Sequence, residues 1–262
     1  MPELPEVETI RRQLDKVLVG QRIKGLSAFA KGYGETMQGI IGKKIVAVKR
    51  KAKMIIIELS KGESLLIHLK MTGQLIYNGK ENKYTRAIFE LDKGKLYFND
   101  LRKFGWIKLV TNKELKQQLV KLPPDVVDKK FTKKYLEKVL KSSGRAIKLV
   151  LLDQTKMGGI GNIYANEILF CGGTDPRIPA NRVKNINELH QCIQKIINQG
   201  IKYGGSTASD EHFVNARGEP GMYQQHFLVY EQEGKKCSRC KGEIIKIKLG
   251  GRGTYYCPAC QK

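Results

Sequence analysis

Hydrophobic residues recur at helical spacing near the start of the chain. The spacing of three or four positions is shared by Val7, Ile10, Leu14 and Leu18. Pro5 precedes most of this pattern at a place where a helix can begin, because a first turn leaves the missing N–H unbonded in any case. The pattern predicts an amphipathic N-terminal helix with charged residues on its other faces.

The pattern then changes from helical spacing to short apolar alternations. Residues 20–110 contain KIVAVKRKAKMIIIELSKG, SLLIHLKMTGQLIYNG and RAIFELDKGKLYFNDLRKFGWIKLV, with DKG and NGK as turn signals. Short alternating strands at this spacing predict an antiparallel β-sandwich or barrel.

Helical periodicity returns after LPPDVVDKK. The segments TKKYLEKVLKSSG and INELHQCIQKIINQGIKYGG are each amphipathic and each close on glycine. We place a domain boundary around Pro123 and Pro124. The fold class is therefore α+β, a β-sandwich with a leading helix followed by a helical domain.

The last 26 residues contain a metal-binding pattern. Cys237 and Cys240 are separated by two residues, as are Cys257 and Cys260, and sixteen residues lie between the pairs. This spacing predicts a zinc ribbon in which four thiolates bind one structural Zn²⁺. The predicted domains are 1–123, 124–227 and 228–262, the last being the zinc finger.

Two further cysteines stand alone in the sequence. Cys192 lies among isoleucines at helical spacing, and Cys171 follows an apolar helical stretch. We interpret both as small core residues and expect no disulfide from them.

The net charge of the chain indicates what kind of molecule it binds. The chain of 262 residues has 48 Lys+Arg against 25 Asp+Glu, a formal net charge of +23. An excess of lysine can be a general feature of a genome's proteins that only keeps them soluble, but a net charge this large favours binding to a polyanion. No apolar run approaches the length of a membrane span and no secretory signal is visible, so we expect a cytoplasmic, monomeric protein that binds nucleic acid and no membrane.

Two glycine-rich turns could hold phosphate. Three glycines precede a helix in MGGIGNIYANEILF, where backbone N–H groups can form an anion site, although the pattern by itself is weak. Arg252 lies between Gly251 and Gly253 in the zinc ribbon. From spacing alone, a ligand-binding arginine and a solvated turn arginine are both open.

Seven motifs in order make the whole chain resemble the formamidopyrimidine-DNA glycosylases, relatives of endonuclease VIII. They are PELPEVET, RKAKM, HLKMTG, DLRKFG, GGIGNIYANE, VNARGEPGMYQ and GGRGTYYCPAC. Leu4 matches this family, whereas the endonuclease VIII branch usually has glycine there. The resemblance implies a helix–two-turn–helix in the second domain. It also implies a DNA glycosylase and abasic-site lyase that acts on oxidised purines in double-stranded DNA.

The resemblance assigns catalysis to the N-terminus. Once Met1 is removed, Pro2 supplies a secondary amine that attacks the sugar C1′ and forms a Schiff base. The α-amino pKa of about 8 leaves more of it unprotonated than a lysine. Glu3 moves protons on the opening sugar. For Glu6, a catalytic part and a part in orienting the terminus are both open.

Other positions take their roles from the same resemblance. Lys53 on a strand turn assists β-elimination and binds phosphate, and Arg252 grips phosphate and assists δ-elimination. Asn162 at a helix start is a phosphate clamp. His68 and Lys148 are expected to contact the DNA backbone, with a solvated lysine as the alternative for Lys148.

A flipped base leaves a hole that the protein must fill. The resemblance assigns the side chains that fill this gap, called the wedge here, to Met71, Arg102 and Phe104. The arginine is expected to hydrogen-bond the cytosine that has lost its partner base. Taken alone, Met71 and Phe104 would more often be core residues, although Gly73 and Gly105 beside them suggest tight loops. We expect the flipped base to meet a flexible stretch over residues 209–221.

Three departures from the family pattern stand in the sequence. Ala52 replaces a common glycine, NKYTRA stands where relatives often have two histidines, and Arg217 is unexpected in the lesion loop. Two alternatives to an oxidised-purine glycosylase remain. One is an endonuclease VIII-like enzyme for oxidised pyrimidines, and the other is a zinc-ribbon DNA-binding protein without catalysis.

Overall fold

The first strands and helix of the chain build a two-sheet sandwich. The computed structural model describes residues 1–29, 33, 37–208 and 212–262. Helix α1 covers Leu4–Leu18 and places Pro5 in its first turn. The strands that follow are β1 Ile23–Ala28, β2 Ile45–Lys51, β3 Met54–Leu59, β4 Glu63–His68, β5 Gly73–Tyr77, β6 Thr85–Leu91, β7 Lys95–Asp100 and β8 Trp106–Thr111. They form sheets of order β1-β6-β7-β5 and β2-β3-β4-β8, all antiparallel, which confirms the predicted sandwich.

The core of this region lies where α1 and the two sheets meet. The apolar face of α1 contributes Val7, Ile10, Leu14 and Leu18, all fully buried, to a cluster with inward residues of both sheets. Burial of such side chains stabilises the fold by about 1.5–3 kcal/mol each. The periodic residues of α1 are therefore the ones that hold the N-terminus against the sandwich.

One helix of this region was not predicted. Helix α2 covers Asn112–Val120 directly after β8, and Leu115 is its only buried residue. It begins with a capping box, in which Thr111 accepts from the Glu114 N–H and the Glu114 carboxylate accepts from the Thr111 N–H. The local signal was thus present, but the helix has a weak apolar face.

The helical region contains four helices and a two-stranded ribbon. They are α3 Lys133–Lys141, α4 Ile147–Leu151, α5 Asn162–Cys171, α6 Ile186–Lys202, β9 Ile245–Leu249 and β10 Arg252–Tyr256. Helix α5 packs against α6 and against β10. The two helices predicted from periodicity, α3 and α6, are confirmed.

The interpretation of the isolated cysteines was wrong in one respect. Cys171 ends α5 and Cys192 lies within α6, and the structure joins them in a disulfide with 5.7 Å between their Cα atoms. Packing of α5 on α6 brings together residues that are 21 positions apart, which no spacing rule reveals. Cys192 is nevertheless buried, as expected.

The chain divides into two compact units. The first consists of residues 1–121 with 203–222, and the second of 122–202 with 223–262. This division differs from the sequence-based domains in assigning 203–222 to the sandwich and the zinc ribbon to the helices. Among the residues that the structure describes, none of the helices has both the length and the apolar composition that crossing a membrane requires.

Candidate active site and zinc centre

The N-terminus is fixed by a buried carboxylate. Glu3 precedes α1, and its N–H donates to Oε2 of Glu6 at 2.8 Å. The other oxygen of Glu6 accepts from the Ser206 N–H at 2.7 Å. Glu6 is completely buried, and Pro2 and Glu3 are buried as well. Glu6 therefore ties the backbone of Glu3 to residue 206.

A close backbone approach makes this arrangement possible. Gly205 has a φ of +84°, and a Cβ there would lie 2.8 Å from Cγ of Glu6. A side chain at this position would displace the carboxylate that holds Glu3. This contact and the two bonds from Ser206 to Glu6 join the start of the 203–222 segment to α1.

Lys53 lies in the turn between β2 and β3, where its backbone is shaped by an unusual neighbour. Ala52 has a φ of +50°, the left-handed region that favours glycine. The departure from the family glycine therefore leaves a mildly strained residue in the turn. Lys53 itself is buried, at 4% exposure.

A cluster of charges links this turn to α1. The Arg50 guanidinium donates to the Ala52 carbonyl at 3.0 Å and to Oε2 of Glu8 at 2.9 Å. Arg11 and Arg12 donate to the other oxygen of Glu8. Burial raises the pKa of Glu8, but the hydrogen bonds from the three arginines outweigh it and lower the pKa to about 2. Glu8 thus stays ionised and fixes Arg50 beside the Lys53 turn.

His68 ends β4 as a half-buried neutral residue. Its Nδ1 accepts from the Lys70 N–H at 3.0 Å, and its ring packs on Trp106. Burial lowers the pKa of His68 to about 4, and the charges of Lys70 and Lys53 act in the same direction. The imidazole is therefore uncharged at neutral pH and can donate from Nε2.

The three residues assigned to the wedge lie together on the surface. Met71 and Phe104 are 42% and 53% exposed, which excludes the interpretation of them as core residues. The Arg102 guanidinium donates to Sδ of Met71 at 3.0 Å and lies 4.8 Å from the centre of the Phe104 ring. Two loops thus present one apolar and cationic cluster.

The predicted flexible stretch is largely anchored. Residues 209–211 lie outside the described residues, but Phe213 and Ala216 are buried in the sandwich core. The Ala216 N–H donates to Gln13 and its carbonyl accepts from the Tyr77 N–H. The expectation of a flexible stretch is wrong for this part, because two apolar side chains and these bonds hold it to the core.

Asn162 is the first residue of α5, directly after the glycine turn. Within the described part of the chain, its buried Oδ1 has no hydrogen-bond partner. Gln154 fixes the turn by accepting from the Gly159 N–H and donating to the Ile160 carbonyl. Because an amide oxygen accepts, only a group that donates could complete this bond, and a phosphate bound here would have to accept from the Asn162 NH₂ group or from the N–H groups at the helix N-terminus.

Lys148 is the site residue whose surroundings differ most from expectation. It is completely buried, so the alternative of a solvated lysine is wrong. Its ammonium donates to the Gly253 carbonyl and to Oγ1 of Thr254, each at 2.8 Å. The structure therefore gives Lys148 contacts beneath the ribbon turn that carries the exposed Arg252, rather than an ammonium available to a DNA backbone.

Two polar residues of α5 were missed by the sequence analysis. The Asn166 side chain accepts from the Tyr255 N–H of β10 at 2.9 Å. The Glu167 carboxylate accepts from the N–H groups of residues 228–230 at 2.8–3.0 Å. Both lie within the GGIGNIYANE motif, but only the fold shows that they anchor the ribbon and the segment leading to it.

The four ribbon cysteines form the predicted metal site. Their sulfur atoms all lie within 4.8 Å of one another. The pairs Cys237–Cys260 and Cys240–Cys257 are separated by 3.7 and 3.4 Å. Tetrahedral Zn²⁺ with bonds of about 2.3 Å requires sulfur separations of roughly 3.8 Å. The donor set therefore fits one structural zinc, which leaves no coordination position for catalysis.

Family comparisons cover most of the chain. The models described as the formamidopyrimidine-DNA glycosylase N-terminal domain, the H2TH domain of the same glycosylase and a zinc finger found in FPG and IleRS match residues 1–107, 122–212 and 234–262. The chain is similar to the formamidopyrimidine-DNA glycosylases of Carboxydothermus hydrogenoformans and Pelotomaculum thermopropionicum. Each is 39% identical, with 100% of this chain and at least 99% of the relative covered.

Solved structures agree with these matches. A Lactococcus lactis FPG mutant in complex with DNA containing Fapy-dG has a TM-score of 0.92 at 34% identity, with both chains fully covered. The MutM (Fpg) protein of Thermus thermophilus has a TM-score of 0.91 at 34% identity, with 99% of this chain and 98% of that one covered.

Proposed function

The chain belongs to the formamidopyrimidine-DNA glycosylase family, and we propose that it excises oxidised purines from duplex DNA and cleaves the abasic site that results. The substrates are 8-oxoguanine and formamidopyrimidines. The observation that carries the proposal is the N-terminus, where Pro2 and Glu3 are buried and held by Glu6. Because its substrate is chromosomal, we place the enzyme with DNA in the cytoplasm.

The nucleophile is the secondary amine of Pro2 after removal of Met1. Its nitrogen forms a bond to C1′ of the damaged nucleotide, and the bond between C1′ and the base breaks. Glu3 protonates the sugar ring oxygen as the ring opens, which leaves an iminium on Pro2. Glu6 acts by fixing the backbone of Glu3, so we assign it a positioning part.

Strand cleavage follows from the iminium. Its adjacent sugar protons are acidic, so β-elimination and then δ-elimination expel the two phosphates. Lys53 assists the first elimination, and its position is set by the Ala52 turn and the bond from Arg50. Arg252 binds phosphate for the second, on a turn that Lys148 supports from below.

Recognition uses exposed groups on each unit. Met71, Arg102 and Phe104 fill the space of the flipped base, and Asn162 donates to a backbone phosphate. His68 donates as a neutral imidazole, so its contribution to binding should not change between pH 5.5 and 8. Because several phosphates are contacted, log affinity should fall with log salt by about 0.9 per phosphate.

A second class of substrate is supported by one comparison. The wild-type Lactococcus lactis relative, at 34% identity, has been crystallised with DNA containing an oxidised pyrimidine. We therefore expect some activity on oxidised pyrimidines, below that on oxidised purines. Leu4 and the wedge argue against a primary preference of the endonuclease VIII type.

The test compares two forms that differ only at the terminus. One form has a cleavable N-terminal tag that leaves Pro2 first, and the other retains the tag. Excision of 8-oxoguanine should fall at least a thousandfold with the tag, while binding to a duplex containing tetrahydrofuran changes little. Equal excision by both forms would contradict the proposed nucleophile. Tight binding without excision by either form of the protein would favour the alternative hypothesis, a DNA-binding protein without catalysis.

A further inference from the structure

The wedge residues stand on two separate loops. Met71 lies between β4 and β5, and Arg102 and Phe104 lie between β7 and β8. Each loop contains one lysine in the left-handed region, Lys70 with a φ of +53° and Lys103 with a φ of +57°. The three wedge side chains are exposed, so core packing of their own atoms does not fix the distance between the loops.

Asp100 connects the two loops from beneath. This residue ends β7 and is completely buried. Its Oδ1 accepts from Oγ1 of Thr72 at 2.5 Å and from the Arg102 N–H at 3.2 Å. Its Oδ2 accepts from the Gly105 N–H at 2.6 Å. One carboxylate therefore bonds the residue after Met71, the backbone of Arg102 and the residue after Phe104.

The surroundings leave little freedom in this arrangement. Oγ1 of Thr72 also accepts from the Arg102 N–H at 3.0 Å, which joins the loops a second time. A Cβ on Gly105 would lie 2.9 Å from Oδ2 of Asp100 and 2.8 Å from Cζ of Phe98. Glycine at 105 thus allows the backbone to approach the carboxylate closely enough to bond.

We propose that Asp100 is the positioning residue of the wedge, and that it sets the preference for cytosine opposite the lesion by fixing Arg102 relative to Met71 and Phe104. The inference rests on the proposed role of these three residues. Asp100 reaches no base itself. It acts by holding the loops at one separation, at which the Arg102 guanidinium and the Met71 sulfur stay in contact.

A carboxylate is the side chain that this position requires. Two of the groups that face it are backbone N–H groups, which can only donate, and the third is the Thr72 hydroxyl, which donates to it here. An ionised carboxylate accepts on both oxygens, whereas an asparagine must place its NH₂ against one of the two N–H groups. The isosteric change Asp100→Asn therefore removes at least one of these backbone hydrogen bonds, together with the negative charge, without changing the volume.

The experiment measures opposite-base preference in folded variants. Each protein is titrated with a duplex containing tetrahydrofuran opposite cytosine and with one containing tetrahydrofuran opposite adenine. The variants are Asp100→Asn and Thr72→Val, which removes only the hydroxyl that joins the loops. Thr85→Val is the matched control, because the Thr85 hydroxyl bonds Asn99 and the Asn82 N–H rather than a residue of either wedge loop.

We expect the ratio of the two affinities to fall about tenfold in Thr72→Val, the size of one lost charge-assisted hydrogen bond, and further in Asp100→Asn. Thr85→Val should lower thermal stability but keep the wild-type ratio. If Asp100→Asn does not fold, Thr72→Val decides. A wild-type ratio in folded Thr72→Val would overturn the inference, as would an equal fall in Thr85→Val. Borohydride trapping of the wild type on 8-oxoguanine DNA tests the proposed function separately.

Discussion

Two exposed arginines of the protein sit on turns that are supported in opposite ways. Arg102 follows β7 in the sandwich, and the buried carboxylate of Asp100 accepts from the backbone N–H groups of its loop. Arg252 begins β10 in the zinc ribbon, and the buried ammonium of Lys148 donates to the carbonyl of the next residue. The negative charge lies where the turn presents backbone N–H groups, and the positive charge lies where the turn presents a carbonyl.

The two turns also differ in what holds the structure around them. The Arg102 loop follows β7, and the sheet that contains β7 packs into a large apolar core. The Arg252 turn belongs to a ribbon of two strands whose order depends on four sulfur ligands. We therefore expect each buried charge to position its arginine only while packing or metal binding fixes the backbone around it.

Removal of zinc should have the largest effect, because it should disrupt the Arg252 turn and leave the Arg102 loop intact. Structural zinc contributes on the order of 10 kcal/mol to folding, so a chelator should unfold the ribbon and lower affinity for a tetrahydrofuran duplex more than a hundredfold. Trp106, the single tryptophan, lies in β8 of the sandwich. Its fluorescence should remain unchanged during chelation. A parallel loss of the Trp106 signal would show that the sandwich depends on the metal as well.

The second effect concerns the carboxylate beneath the Lys53 turn. Glu8→Gln should lower the free energy of unfolding by about 3 kcal/mol at pH 7. The measurement is urea unfolding followed by Trp106 fluorescence. Because folding lowers the pKa of Glu8 from 4.5 to about 2, its contribution is complete above pH 4.5 and disappears as the pH falls toward 2. The difference between variant and wild type should shrink over that interval.

Glu90→Gln is the control for this prediction. Glu90 pairs with Lys95 on the surface of the same unit, with both side chains nearly half exposed. Such a pair contributes up to about 1 kcal/mol. An equal loss in both variants would contradict the claim that burial and the three arginines distinguish Glu8.

The third effect tests the ammonium beneath Arg252. Lys148→Met leaves the Gly253 carbonyl without this donor, and conversion of the β- to the δ-elimination product should slow about tenfold. The zinc content should stay at one ion per chain. The exposed Lys134→Met in α3 removes the same charge without that contact and should have a smaller effect. Fully additive effects of Lys148→Met and Arg252→Ala would contradict the positioning role.

The smallest effect concerns the Lys53 turn. Ala52→Gly should raise the free energy of unfolding by up to about 1 kcal/mol, because it relieves the left-handed backbone at this residue. Ala47→Gly within β2 should instead lower it by about 0.5–1 kcal/mol. A loss of stability in Ala52→Gly would mean that the turn is not strained.

Local patterns were enough to predict α1, α6 and the zinc ligands from sequence. Each depends on residues a few positions apart, or on cysteine spacing with a known chemical meaning. Asp100, Lys148 and the Cys171–Cys192 bond could not be predicted, since their partners become neighbours only through sheet pairing or helix packing. For the same reason, Lys148 was expected near DNA, and residues 209–221 were expected to be flexible, although Phe213 and Ala216 within this stretch are buried in the core.

The site residues drawn from the family resemblance remain predictions in their chemistry. The structure places Glu6 and Glu3 in contact and groups the wedge residues on the surface. The central claim is that the amine of Pro2 performs the reaction.

That claim is tested most directly by borohydride trapping on a duplex with 8-oxoguanine opposite cytosine, followed by mass spectrometry of the cross-linked peptide. We expect one covalent adduct, on Pro2, in protein from which Met1 has been removed. An adduct on Lys53 or another lysine would contradict it, because the lyase would then use a different amine.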